Sequence, residues 1–220
     1  MKVWIIIPAY NEADSLGVLL NSLNKKGFSV LVVDDGSFDK TYQTAKKYAT
    51  VVLRNKRNFG KGLSIKTAVE YLLKNEKFDY IITMDADGQH SPDDVDNFIA
   101  QASKGEACVV GNRMDNPIGM PGLRITTNKV MSKIVSRIAR QSIPDTQCGF
   151  RLIKREILEA IKLRTRKFEI ESEILIKASR AGYPIKSIPI KSIYFKNQHS
   201  KINPFTDTIR FFGFISRLKK

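Results

Sequence analysis

Apolar residues along this chain fall into two alternating rhythms. VWIII, SVLVVDD, TVVL, DYIITMD and EACVVGN are short, β-branched and almost unbroken in their hydrophobicity. That is the pattern of strands buried on both faces of a parallel sheet. Between them, EADSLGVLLNSLNK, DKTYQTAKKY, KGLSIKTAVEYLLK and SPDDVDNFIAQASK carry apolar residues at helical spacing. The last opens with Ser91 before Pro92, an N-cap followed by proline at the first helical position. Strands alternating with helices of this length predict an α/β fold, a doubly wound and mostly parallel sheet flanked by helices. After Asn112 the rhythm breaks into the Gly/Pro-rich NRMDNPIGMPG, and a helical stretch follows near residues 123–141.

Composition changes this picture in three ways. With 220 residues and 42% hydrophobic content, the chain is sized for one large domain with a real core. The apolar run after MKV is far too short for a signal peptide or a membrane span, which needs roughly 20 apolar residues. Cys108 and Cys148 have no metal-ligand spacing and form no disulfide framework, so they read as free thiols of a reducing, cytoplasmic compartment. The charge is lopsided. Residues 1–112 hold 14 basic and 14 acidic residues, whereas residues 113–220 hold 23 and 8, so the whole formal +15 lies in the second half. Such asymmetry suggests that one half faces a polyanion or an anionic membrane.

Against that basic background, ITMDADGQHSPDDV collects Asp85, Asp87, Asp93 and Asp94, with Asp96 just beyond and no Lys or Arg between Phe78 and Ser103. Carboxylates this dense repel one another unless a cation offsets them. Asp85 and Asp87 alternate around Ala86, so on an extended backbone they point the same way, with the Gln89 amide close behind. Hard oxygen ligands of this kind suit Mg²⁺ or Mn²⁺, which commonly bridge one or two carboxylates to substrate phosphates. Ligands of doubly wound sheets bind beyond the carboxyl ends of the strands. There the chain also places Pro8, Ala9, Tyr10, Asn11 and Glu12 after the first strand, and Asp34, Asp35, Gly36 and Ser37 after the second.

Taken in order, PAYNEADSL, VVDDGSFDKT, MDADGQHSPDD, the Gly111-Asn112-Arg113 turn and DTQCGFRLIKRE resemble family 2 glycosyltransferases. The resemblance runs from Val3 to about Pro204 and is nearest to the polyprenyl-phosphate (dolichol-phosphate) mannose and glucose synthases. It implies a GT-A fold over residues 1–204, with a nucleotide-sugar and metal half (1–112) and an acceptor half (113–204). It also implies a nucleotide-diphosphate sugar donor, a divalent metal and inverting transfer. By its motifs, Pro8, Ala9, Tyr10, Glu12, Val33 and Asp35 would wall the base and ribose, the Asp35 carboxylate accepting from the base. Asp85 and Ala86 would border the ribose and diphosphate, while Asp87 and Gln89 would ligate the metal together with Asp85. Arg113 would contact the donor sugar or the acceptor phosphate, and Lys201 would reach the donor phosphates. One stretch departs from the mannosyl synthases, which carry Arg-x-x-Gly-x-Ser-Lys: here Phe195 replaces the arginine and Gln198 the glycine. Lys196 is a point charge and no substitute for a bidentate fork. GDP-mannose and a UDP-hexose such as UDP-glucose therefore both stand as donors.

A polyprenyl phosphate acceptor is already ionised near neutral pH and needs cations to position it, with Arg113 helped by Arg124, Arg151 or Lys129, more than it needs a base. A saccharide hydroxyl needs a base, and FEIESEI offers Glu169 and Glu171, with Asp145 as a third choice. Gly60-Lys61-Gly62 is too short for a P-loop. Nucleic-acid binding is the alternative from another class, but no nucleic-acid module is recognisable, so no nucleic-acid partner is expected. Attachment to an anionic membrane surface is expected instead, through two basic amphipathic segments; the alternative is that both apolar stripes pack on the sheet and their charges are merely solvated. In the first, Lys129, Lys133, Arg137 and Arg140 form one helical stripe beside Val130, Ile134 and Ile138. In residues 205–220, Phe205, Ile209, Phe212 and Ile215 share a side, ahead of Arg217, Lys219 and Lys220. The expected location is the cytoplasmic face of a membrane, held peripherally.

Overall fold

The computed structural model describes residues 1–193 and 204–217, with side chains in the second stretch for residues 209–216. All five strands expected from the apolar runs form: β1 (Val3–Ala9), β2 (Ser29–Asp34), β3 (Val51–Arg54), β4 (Tyr80–Thr83) and β5 (Cys108–Asn112). Two further strands, β6 (Arg151–Lys154) and β7 (Ile185–Pro189), complete a seven-stranded sheet ordered β3-β2-β1-β4-β6-β5-β7. Only β6 is antiparallel, to β4 on one side and β5 on the other. Through β6 and β7 the second half of the chain joins the same sheet as the first. The lysine and proline of β7 (IKSIP) suit its place at an edge.

The helices are α1 (Ala13–Lys25), α2 (Thr41–Tyr48), α3 (Lys61–Asn75), α4 (Val95–Ser103), α5 (Gly122–Ala139), α6 (Arg155–Ala160), α7 (Glu169–Arg180) and α8 (Pro204–Arg217). Spacing of i, i+3, i+4 and i+7 puts Leu16, Leu19, Leu20 and Leu23 on the buried face of α1. Ser91 caps as expected, its hydroxyl accepting from the Asp93 backbone N–H at 3.3 Å. It opens a single 3₁₀ turn, Pro92–Asp94, that leads into α4. The core is built on the central strands, where Ile5, Ile6, Ile7, Val30, Leu31, Ile81 and Ile82 are wholly buried.

The C-terminal helix differs from expectation. Phe211, Phe214 and Ile215 of α8 are buried in a separate cluster with Val135 of α5 and Ile176 of α7, against which Met131, Ile134 and Ile138 pack. Most of the apolar stripe on α5 therefore meets protein rather than lipid, and Ile215 turns inward with it. Burying apolar area against a neighbouring helix is favourable at about 25 cal/mol per Å², and α5 and α7 provide the surface. Val130, Ile209 and Phe212 remain exposed.

Candidate active site

The site assembles where the parallel strands end. β4 stops at Thr83, and the backbone runs out through Met84 to Asp85, Ala86 and Asp87. His90 holds this turn from below: its Nδ1 accepts the Asp85 backbone N–H at 3.3 Å and its ring stacks on Phe150 at 5.0 Å. Burial drives the His90 pKa down to about 4, so the imidazole stays neutral and can accept. Gln89 turns back so that its backbone N–H donates to the Asp87 carboxylate at 3.0 Å. Burial and the neighbouring Asp85 charge push the Asp87 carboxyl up to about 6. Two carboxylates this close repel each other, which favours a proton or a cation between them.

Part of the counter-charge comes from a residue that sequence reasoning passed over. Lys61, the first residue of α3, puts its Nζ 2.5 Å from both Asp85 and Glu171. Burial pushes the Asp85 carboxyl up, but the Lys61 ammonium outweighs it and holds the group well below the usual carboxylate range. A Cβ on Gly149 would lie 2.7 Å from both the Asp85 carboxylate and Lys61 Nζ, so a side chain in the Cys-Gly-Phe turn would displace this ion pair. The glycines flanking Lys61 are packing devices as well: a Cβ on Gly62 would run into the backbone of Arg166 and Lys167, and one on Gly60 into the Arg166 carbonyl and the Lys167 side chain. Gly60 also sits at φ +104, in the left-handed region open to glycine. The available signal was thus a lysine at a helix start between two glycines, but no sequence spacing ties it to Asp85.

Beyond β1 and β2 the loops are laced together. Pro8 pairs with Val33 and Ala9 with Asp34 across the two strands. Tyr10 is half-buried, Ala9 and Ala86 are buried, and Val33 lies entirely within the core, so anything Val33 offers a ligand comes through its backbone. Glu12 starts α1; its carboxylate accepts from Ser15 Oγ at 2.9 Å and its backbone N–H donates to Thr41 Oγ1 at 2.8 Å. Asp35 is buried and accepts three internal bonds, from Asn55 Nδ2 at 2.7 Å and from the Phe59 and Gly60 backbone N–H groups at 3.0 and 2.7 Å. Its carboxylate therefore organises the loop leading into α3, and any bond to a base shares these oxygens.

On the far side, the Arg113 guanidinium forms a buried fork with Asp145, Nε to Oδ2 at 2.7 Å and Nη2 to Oδ1 at 2.9 Å. Although burial pushes the Asp145 carboxyl up, Arg113 outweighs it and holds the group below its ordinary value. This makes Asp145 a poor proton acceptor. Arg151, considered from sequence as a helper for the acceptor phosphate, is wholly buried and structural. Its guanidinium donates to the backbone carbonyls of Cys148, Thr146 and Glu171. Glu173 likewise organises its own neighbourhood, accepting from the Arg164 and Thr165 backbone and pairing with Lys177. Glu169 differs: its Oε2 is buried and has no hydrogen-bond partner among the described residues. Cys108 and Cys148 are buried, and burial pushes both thiols up to about 12, which makes them inert. Lys201, with Lys196 and His199, lies outside the described residues.

Among the described residues, no three His, Cys, Asp or Glu side chains converge as a metal cage. Asp85 and Asp87, two neighbouring carboxylates whose charges repel, nonetheless match a Mg²⁺-type ion that keeps waters and substrate phosphates as its remaining ligands.

The model of the glycosyl transferase family 2 matches residues 4–162, which span every strand end just described except that of β7. The chain belongs to this family. It is a glycosyltransferase with a GT-A fold. A dolichol-phosphate mannosyltransferase of Pyrococcus furiosus is 34% identical over 195 residues, covering 80% of this chain and 53% of its own length. A UDP-N-acetylglucosamine–dolichyl-phosphate N-acetylglucosaminyltransferase of Methanococcus voltae is 30% identical, with 87% of this chain and 86% of the relative covered. Among solved structures, mannosyl-3-phosphoglycerate synthase from Rubrobacter xylanophilus superposes with a TM-score of 0.78 over 100% of this glycosyltransferase and 75% of that chain, at 18% identity. Glucosyl-3-phosphoglycerate synthase from Mycobacterium tuberculosis, in complex with Mn²⁺ and UDP, gives 0.73 over 96% of this chain and 75% of its own, at 17% identity. At that identity these two speak for the fold.

Proposed function

We propose that this glycosyltransferase moves a hexose from a nucleotide-diphosphate sugar, of the GDP-mannose or UDP-hexose type, to a polyprenyl phosphate, with inversion. One observation carries the choice of acceptor: most of the acids near the site are engaged elsewhere. Asp145 is forked by Arg113, Glu171 is paired with Lys61, and Glu173 is held by the 164–165 backbone and Lys177. A phosphate monoester, with a second pKa near 6, needs no proton removed. Its oxygen forms the new bond to the anomeric carbon as the bond to the nucleoside diphosphate breaks, and the electron pair leaves with that diphosphate. Arg113 supplies the positive charge that orients the acceptor, its plane set by Asp145. Asp87, Asp85 and Gln89 would hold a Mg²⁺ or Mn²⁺ ion, which when bound would supply Lewis-acid stabilisation to the departing diphosphate. Pro8, Ala9, Tyr10 and Glu12 at the end of β1, with Val33 and Asp35 at the end of β2, form the base and ribose wall. The two relatives acting on dolichyl phosphate support the same acceptor class.

Glu169 favours a second possibility. A buried carboxylate oxygen without a hydrogen-bond partner is what a base for a saccharide hydroxyl would look like before its acceptor binds.

A lipid-linked acceptor gives membrane attachment a purpose, and the surface of α5 and α8 supports it in altered form. Lys129, Lys133, Arg137 and Arg140 are all exposed, as are Ile118 and Leu123 around the start of α5, Val130 at its middle, and Ile209 and Phe212 on α8. Each cation near an anionic bilayer adds about 1 kcal/mol. No described helix is long and apolar enough to cross a membrane.

The test supplies labelled GDP-mannose, UDP-glucose or UDP-N-acetylglucosamine with Mn²⁺ and either a polyprenyl phosphate or a soluble saccharide. Label should pass into the organic extract from one donor with the lipid acceptor. Transfer to the saccharide alone would overturn the proposal in favour of Glu169 as base.

A further inference from the structure

Phe38 is 89% exposed, the most exposed large hydrophobic side chain among the described residues, and it sits in the loop after β2 at the ligand-bearing end of the sheet. This exposure is not slack in a loose loop. The Phe38 backbone N–H donates to Asn11 Oδ1 at 2.9 Å, and the Asn11 backbone N–H donates to Ser37 Oγ at 2.9 Å. One residue further on, the Glu12 N–H reaches Thr41 Oγ1 at 2.8 Å and the Ala13 N–H reaches Asp39 Oδ2 at 3.2 Å. Asn11 adopts φ +51, a left-handed backbone uncommon outside glycine that persists where its surroundings fix it. The two loops thus lock each other, and the lock holds Phe38 outward. Its ring stands edge-on to Tyr10, with centroids 6.5 Å apart and planes at 72°. Two aromatic rings at a steep angle, one half-buried and the other exposed, make a corner in which the Phe38 ring face meets solvent.

We propose that this corner receives the donor's nucleobase, Phe38 stacking on the base and Tyr10 bordering its edge. The inference rests on the nucleotide-sugar donor advanced above and adds Phe38 as a binding residue. A flat heteroaromatic ring fits because every base has a π-face to stack, and stacking on an aromatic side chain is sequence-tolerant. It follows that Phe38 contributes affinity for nucleoside diphosphates in general, while the choice among bases falls to the polar groups around Asp35. It also follows that a ligand lacking a base gains nothing from Phe38.

The experiment measures dissociation constants of UDP, GDP, dTDP and inorganic pyrophosphate, each with Mn²⁺, for the wild type, Phe38→Ala and Phe38→Tyr. Because Phe38 makes no core contact, Phe38→Ala should melt with the wild type. Stacking of about 1–3 kcal/mol per base predicts a loss of roughly five- to a hundredfold for the nucleoside diphosphate that binds best. Pyrophosphate affinity should be unchanged, and Phe38→Tyr should stay within about twofold of the wild type. Tight nucleotide binding with Phe38→Ala unchanged would overturn the corner while leaving the donor class standing, as would an equal loss for pyrophosphate. A wild type that binds no nucleoside diphosphate would overturn both.

Discussion

Replacing Lys61 by methionine keeps the length of the stem and removes the ammonium that lies 2.5 Å from both Asp85 and Glu171. Two carboxylates would then face each other across a confined gap, with Asp87 close by. Removing one partner of a buried ion pair costs about 3–5 kcal/mol, because the group left behind is charged and desolvated. Glu171 is only 7% exposed but Asp85 is 28% exposed, so water offsets part of the loss and the lower end, about 3 kcal/mol, applies. For a chain of this size each kcal/mol lowers Tm by roughly 2–4 °C, giving a drop of about 6–12 °C. The loss should depend on pH with a definite sign. Lys61 holds the folded Asp85 carboxyl below its unfolded value, so the associated stability is complete above about pH 4 and fades as pH falls further. Lys61 itself is raised from an already alkaline value and adds no slope in this range. Metal-free thermal melts and urea titrations from pH 3 to 8 should therefore show the gap between wild type and Lys61→Met widest at neutral pH and closing below pH 4. Lys61→Arg should recover much of it. A loss under about 1 kcal/mol, or one of equal size at pH 3.5 and pH 7.5, would refute the proposed coupling of Asp85 to Glu171 through this ammonium.

Asp87 should behave in the opposite sense: its carboxyl is raised to about 6, so without metal it costs stability as pH rises from about 4 to 6. Asp87→Asn should accordingly raise the metal-free Tm at pH 7.5 but not at pH 4, while abolishing both turnover and the stabilisation given by Mn²⁺; melts with and without the ion check this. Glu173→Gln removes the charge that gathers the Arg164 and Thr165 backbone and Lys177, so the 162–168 loop should become the first site of limited proteolysis, with a loss of about 2 kcal/mol in urea unfolding. The two faces of α8 should separate cleanly. Phe214→Ala should cost about 3 kcal/mol of stability, measured by thermal denaturation. Phe212→Asp should leave Tm alone and weaken flotation with anionic vesicles.

Much of this architecture can be read from the sequence because its causes are local. Unbroken β-branched runs and leucines at helical spacing specify β1 to β5 and the helices between them. The D-x-D pattern singles out Asp85 and Asp87, whose charges do interact, but Ala86 and Asp87 lie in a turn and not on the extended backbone from which their common direction was expected. What could not be read is what depends on distant contact. Lys61 meets Glu171 only because α3 and the start of α7 pack together, and the glycines that permit this resemble a failed phosphate loop. His90 looks like a polar residue approaching a helix, and only its stack on Phe150 reveals it as the support of the carboxylate turn. Arg151 carries a charge that pattern assigns to the surface, yet three carbonyls converge on it in the interior. β6 is four residues long, begins with that arginine and runs against its neighbours, so no apolar run marks it. The amphipathic stripe on α5 was visible, but amphipathicity alone does not say whether lipid or α8 covers the apolar side.

The proposal that a phosphate oxygen attacks the sugar directly, without help from an enzymic base, is tested best by the product made from a labelled α-linked nucleotide-hexose and polyprenyl phosphate, comparing the wild type with Glu169→Gln. Direct displacement predicts a β-linked hexosyl phosphate from both proteins, identified by the anomeric coupling in its NMR spectrum, at rates within a few-fold of each other. An α-linked product, or loss of transfer in Glu169→Gln with the fold and donor affinity intact, would contradict it.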